Sequence, residues 1–178
     1  MGLFTNLKEN NYASHLQKYL STHNIKRTSI TWDEAKSIGI LFNAHNTSVD
    51  TEILDFIKKT KKNGFKIKAL AIVDKKMETS SLIFDTINSK NISWSKVPDL
   101  DVIHDFQTTP FDILLNFYDV NCKPLEFISM TSHAKMRIGL HGTNLECSDL
   151  IVGDGNGTSF NELIATAKTI LSRMAVGA

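Results

Sequence analysis

Cysteine, proline and long apolar runs are all scarce in this sequence. Its 178 residues hold two cysteines and three prolines. Two thiols, Cys122 and Cys147, cannot build a disulfide framework, and free thiols suit a reducing compartment. No apolar run approaches the roughly 18 residues a membrane span requires. The opening MGLFTNLKEN lacks the apolar core of a signal peptide, so a cytoplasmic location is expected. Charge of one sign is also missing overall. The formal net charge is +1, so no global field selects nucleic acid or a membrane surface. What remains is ordinary for a globular chain, with 42% hydrophobic and 22% charged residues. The length suits one domain with a sizeable core.

Several chemistry-bearing motifs are absent. There is no Gly-Lys-Ser/Thr, which excludes a P-loop, and no G-x-S-x-G elbow. His15, His23, His104 and His133 show no H-x-x-x-H spacing, and there is no Cys-x-x-Cys, so no zinc site is expected. The lysines from Lys58 to Lys76 surround Phe65, but no aromatic-rich RNA-binding strand accompanies them. Nucleic acid is not an expected partner, and no cofactor or metal is expected.

What is present is alternation. The first 22 residues read as a helix, with Tyr12, Leu16, Tyr19 and Leu20 on one stripe. Strands are expected at 38–43 (IGILFN), 65–74 (FKIKALAIVD), 111–119 (FDILLNFYD), 136–140 (MRIGL) and 149–153 (DLIVG), with a weak one at 92–97 (ISWSKV). Helices are expected from Val49 to Asn63-Gly64, over 78–90 through Leu82, Ile83 and Ile87, near 101–107, after Cys122-Lys123-Pro124, and from Phe160 to Met174. Ser48 or Thr47 can cap the second helix. Proline opens a helix well, and glycine ends one cheaply in the left-handed C′ position. Lysines 58, 59, 61 and 62 fall where they complement a helix dipole.

Strands alternating with helices imply an α/β fold: a single Rossmann-like, mostly parallel sheet with helices on both faces. The expected division is an N-terminal helical arm over residues 1–30 and the α/β domain over 31–178. The arm is expected to lie across the domain or to reach a neighbouring copy, giving a homo-oligomer.

In such sheets ligands sit outside the carboxyl ends of the strands. The candidate edge is therefore Asn43, His45 and Asn46; Asp74, Lys75 and Lys76; Asp119 and Cys122; His141 and Gly142; and the 153–158 loop with Asp154. Cys122 precedes a helix start, where a thiol pKa can fall. As a nucleophile it would need a base, and His45 or His141 could serve only from an adjacent strand.

The loop VGDGNGTSF resembles a site most. Its glycines follow the last strand rather than the first and are spaced G-x-G-x-G, so the dinucleotide fingerprint is not met. Read as a calcium loop from Asp154, it has Ser159 where glycine is needed and Ala165 where a bidentate glutamate is needed. Ser159-x-x-Glu162 is a capping box, so a turn and helix cap is the expected role.

The segments Phe111 to Leu115, Lys135 to Gly139 and Asp149 to Val152 resemble an uncharacterised domain family of Bacteroidetes. That likeness implies a bacterial cytoplasmic protein without assigned activity. A fainter likeness to the first Rossmann-like domain of heptosyltransferase-type glycosyltransferases rests on the order of an Asp-apolar strand, a helix, a basic residue and "RIG". The leading expectation is a non-catalytic binding or interaction domain. The alternative is a small-molecule enzyme, or a nucleotide or sugar-phosphate binder, using the carboxyl edge.

Overall fold

The computed structural model describes residues 3–45, 48–73, 82–153 and 157–174. Helix α1 (Leu3–Thr22) comes first, followed by β1 (Ser37–Asn43), α2 (Ser48–Lys62) and β2 (Lys66–Ile72). The chain continues with β3 (Asp85–Ile87), α3 (Leu100–Thr108), β4 (Ile113–Phe117) and α4 (Lys123–Thr131). It ends with β5 (Met136–Leu140), β6 (Leu150–Val152) and α5 (Phe160–Met174). The strands form one sheet in the order β3-β2-β1-β4-β5-β6, and every named pair is parallel. The fold is α/β and Rossmann-like.

Alternation along each strand builds two cores. On one face Ile38, Ile40 and Phe42 of β1, Ile67 and Ala69 of β2 and Ile113 and Leu115 of β4 meet Ile53 and Ile57 of α2. Phe160, Leu163, Ala167 and Leu171 of α5 complete that layer. On the other face Leu41, Leu70, Ile87 and Leu114 meet Ile103 and Phe106 of α3 and Leu125 and Ile128 of α4. Because strands of a parallel sheet are covered on both sides, β1 and β4 read as continuous apolar runs. Gly39 makes room in this layer: a Cβ there would lie 2.9 Å from Leu114 Cδ1 and from Phe111 Cδ2.

The amino ends of the central strands are tied by one carboxylate. Asp112 Oδ2 accepts hydrogen bonds from the backbone N–H groups of Lys36 (2.8 Å) and Ser37 (3.0 Å). It also accepts from the Ser37 hydroxyl (3.0 Å), while Lys135 Nζ donates to Oδ1 (2.7 Å). Farther along the sheet, Asp149 accepts from the Arg137 backbone (2.8 Å) and from its guanidinium. Burial alone would push both carboxyls up, but these donors outweigh it and hold both below the usual carboxylate range.

The arm packs along α4. Tyr12 O–H donates to the carbonyl of Lys123 (3.0 Å), and its ring meets Phe127 edge-on at 5.8 Å. Downstream, the Arg27 guanidinium donates to the carbonyls of Met130, Ser132 and Ala134, and Thr28 N–H donates to Lys135 O (3.0 Å). Tyr12 sits at the start of α4 and Arg27 at its end, so α1 runs parallel to it. With the sheet beneath and the arm above, α4 is buried from Pro124 to Thr131.

Two expected elements differ. The helix over 78–90 is replaced, where described, by β3 and a short 3-10 turn, Ser89–Asn91. Leu82, Ile83 and Ile87 have helical spacing, but Asp85–Ile87 pair with Leu70–Ile72 and Phe84 reaches the opposite core, where it packs edge-on against Phe42 at 5.0 Å. Three residues are too few for period 2 to show. The strand over 92–97 is instead a tight loop whose only sheet-like pairing is the isolated bridge Ile92↔Pro98. Lys96 at φ 69° reverses the chain there, and Trp94 projects into solvent. The α2 cap at Thr47 lies outside the described residues.

Replacing Gly39 by alanine should destabilise the fold by about 1–3 kcal/mol through overpacking, read by urea unfolding. Asp112→Asn should cost about 2 kcal/mol, as expected for hydrogen bonds to a charged group. It should also flatten the acid limb of stability. With folded-state pKa values depressed, the unfolded chain binds more protons below the ordinary carboxylate range. Stability therefore falls as pH drops through the folded values.

Candidate functional site

The strand order reverses direction between β1 and β4, because β1 leads outward to β2 and β3 while β4 leads the other way. Ligands in open α/β sheets bind at such a switch point, outside the carboxyl ends. Asn43 is the last residue of β1, and Tyr118 and Asp119 follow β4. Asn43 spans the gap: its Oδ1 accepts from Asp119 N–H (2.9 Å) and its Nδ2 approaches Cys122 Sγ (3.7 Å). Across the same gap, His45 Nε2 lies 3.2 Å from Asp119 Oδ2. Both of these side chains are well exposed, at 56% and 68%, so the pair faces solvent rather than the core.

The loop after β4 holds this geometry. Asn121 takes φ 65°, a left-handed conformation that asparagine tolerates, and Cys122 N–H closes the turn onto Asp119 O (3.2 Å). Cys122 then caps α4 through its carbonyl, which accepts from Glu126 N–H (2.9 Å), and Pro124 sits in the first turn. Burial pushes the Cys122 thiol up, and the hydrogen bonds from Leu125 and Asn43 offset that only in part. The expected lowering at a helix start is therefore reversed. A protonated thiol is a poor nucleophile, and among the described residues no hydrogen bond joins it to a histidine. The cluster can instead hold a proton on His45, oriented by Asp119, and accept from ligand hydroxyls.

Of the expected edge residues, the structure thus brings together Asn43, His45, Asp119 and Cys122. His141 follows β5, is exposed and is tied by its backbone N–H to Val152 O (2.9 Å); among the described residues its side chain makes no hydrogen bond to the cluster. Asn46, Asp74, Lys75, Lys76 and Asp154 lie outside the described residues. At the end of the glycine loop the capping box is formed: Glu162 N–H donates to Ser159 Oγ (3.2 Å) and Ser159 N–H donates to Glu162 Oε2 (2.7 Å).

Beside the cluster lies a buried polar group absent from the expected edge. Asn116 Nδ2 donates to Ser129 Oγ (2.9 Å), to Cys147 O (2.7 Å) and to Ser148 Oγ (3.2 Å). Glu126 is buried with Lys123 Nζ at 2.8 Å. Burial, followed by the nearby Glu126 carboxylate, pushes the Tyr12 hydroxyl far up. Cys147 is fully buried, and burial pushes its thiol up to about 11. The one sequence signal was polarity on both sides of α4, a pattern that makes sense only once the arm covers it.

Residues 8–174 match a family of unknown function, DUF6913. The chain belongs to that family. The match spans the arm and the sheet together, including all four residues of the switch-point cluster. No curated protein matches the chain, and no solved structure does.

Iodoacetamide should label Cys122 in the folded protein more slowly than free cysteine at pH 7.5, with a rate still rising above pH 9. Cys147 should be labelled only on unfolding. Peptide mass spectrometry reads both, and a plateau by pH 8 for Cys122 would show an activated thiolate instead.

Proposed function

We propose that this chain is a non-catalytic binding domain that holds a small hydroxylated ligand at the carboxyl edge of its sheet. The observation that supports this reading is the Asn43–His45–Asp119–Cys122 cluster bridging the switch point between β1 and β4. An exposed carboxylate beside an imidazole suits sugar or ribose hydroxyls, which can donate to Asp119. The same carboxylate disfavours a phosphate in direct contact, and the first turn after β1 carries no glycine to admit a pyrophosphate. A nucleoside or sugar unit is therefore preferred over a dinucleotide, in keeping with the faint likeness to sugar-nucleotide enzymes. A bacterial cytoplasmic setting fits the two free thiols.

The His45–Asp119 pair supports a second reading, an acid–base enzyme acting on the same kind of ligand. Covalent catalysis by Cys122 is disfavoured by its raised pKa.

Thermal melts against nucleosides, nucleotides, sugars and sugar phosphates test the site. At ten times its Kd a ligand adds about 1.4 kcal/mol, about 3–5 °C for a chain of this size. A hydroxylated ligand should raise the melting temperature of the wild type, and the shift should vanish in Asp119→Asn. No shift from any compound at millimolar concentration, or an equal shift in the variant, would overturn the reading. Turnover of the bound compound, lost in His45→Gln, would favour the enzyme.

A further inference from the structure

A second feature lies at the opposite end of the sheet, at the amino edge, away from the switch-point cluster. A cleft of about 670 Å³ opens there between the end of α2, the start of β2 and the chain entering β4. Its size falls within the range of small-molecule clefts. The floor is apolar: Phe65 and Ile67 on one side, Phe111 on the other. The absence of a side chain at Gly39 lets Phe111 lie flat in this position, since a Cβ would collide with its ring. The rim is cationic, formed by Lys61, Lys66 and Lys68. Lys68 Nζ is already held by Asp105 Oδ2 (2.6 Å) and by Thr109 Oγ1 (3.1 Å). Lys61 and Lys66 make no ion pair among the described residues. The one other carboxylate close by, Asp112, is occupied by Lys135, Ser37 and the backbone of Lys36. Lys36 lines the adjoining cleft, which shares Phe65 with this one.

An apolar floor beneath unpaired cations has a specific chemical complement. A neutral apolar molecule would cover the floor but leave the two ammonium groups without counter-charge. A compact anion such as phosphate would meet the lysines but leave the aromatic floor wet. An amphipathic monoanion satisfies both, burying its apolar body at roughly 25 cal/mol per Å² and placing its charge among the lysines. The helix dipole alone accounts for lysines in the last turn of α2. It does not account for Lys66 and Lys68, which stand on β2, or for the exposed ring of Phe65 between them.

We infer that the amino-edge cleft is a binding site for an amphipathic carboxylate, a medium-chain acyl or aryl acid, seated on Phe65, Ile67 and Phe111 and held by Lys61 and Lys66. The site is independent of the carboxyl-edge reading, because the two share no residue.

Titration of the full chain with decanoate, followed by amide proton–nitrogen correlation spectra, tests this directly. Decanoate should shift the amides of Ser37, Phe65 to Lys68 and Phe111 saturably. Decanol, which has the same chain without the charge, should bind at least tenfold more weakly. The double variant Lys61→Gln/Lys66→Gln, both exposed positions, should keep the wild-type spectrum elsewhere and lose decanoate affinity about tenfold while leaving decanol unchanged. Equal binding of decanol and decanoate, shifts centred on another surface, unchanged decanoate affinity in the double variant, or no saturable shift would each overturn the inference.

Discussion

Two strands with no face open to water organise this molecule. β1 and β4 lie side by side at the centre of the sheet, and their apolar residues point alternately into the two helical layers. Ile38, Ile40, Phe42, Ile113 and Leu115 face α2 and α5; Leu41 and Leu114 face α3 and α4. Burying both faces forces helices onto both sides, and that requirement dictates crossover connections in place of hairpins. The polar ends of the two strands then become the only places where side chains can be functional. At the amino end the backbone is tied by the Asp112 carboxylate. At the carboxyl end it is bridged by Asn43. One end of the strand pair is therefore locked by a charge-assisted network, while the other carries a lighter, solvent-facing cluster.

The arm extends this logic by one layer. α4 presents one face to the sheet, and a lone helix on a sheet would leave its other face wet. Tyr12, Arg27 and Thr28 cover it instead. The consequence is a polar interior around Asn116, Glu126 and Cys147, directly behind the loop that carries Asp119 and Cys122. That interior explains why the Cys122 thiol is raised rather than lowered: the helix start that could activate it is buried against carboxylates, with Asp119 and Glu126 both adding to the effect of burial.

Much of the fold was legible because the strongest signals were local. Continuous apolar runs marked β1, β2 and β4, and a seven-residue stripe marked α5 from Phe160 to Met174. Gly64, at φ 85°, ends α2 where the glycine stood. The failures were equally physical. Leu82, Ile83 and Ile87 have helical spacing, yet pairing with β2 claims the short segment Asp85–Ile87. Ile92 and Trp94 alternate like a strand, yet the chain turns at Lys96. For the carboxyl edge, the rule that ligands meet strand ends named the residues that cluster, but it could not separate His141 from His45, since both follow strands. Glu126 was hidden because nothing local reveals that a second helix will cover its side of α4.

The sequence by itself determined the layers, since period-2 and period-3.6 burial are properties of neighbouring residues. It also excluded the glycine fingerprint, because that motif is local too. The tertiary structure alone decided the strand order β3-β2-β1-β4-β5-β6, and with it which strand ends become neighbours. Asn43 and Asp119 are 76 residues apart, and only the pairing of β1 with β4 brings them together. Long-range pairing depends on how whole faces pack, and no window of sequence carries that information.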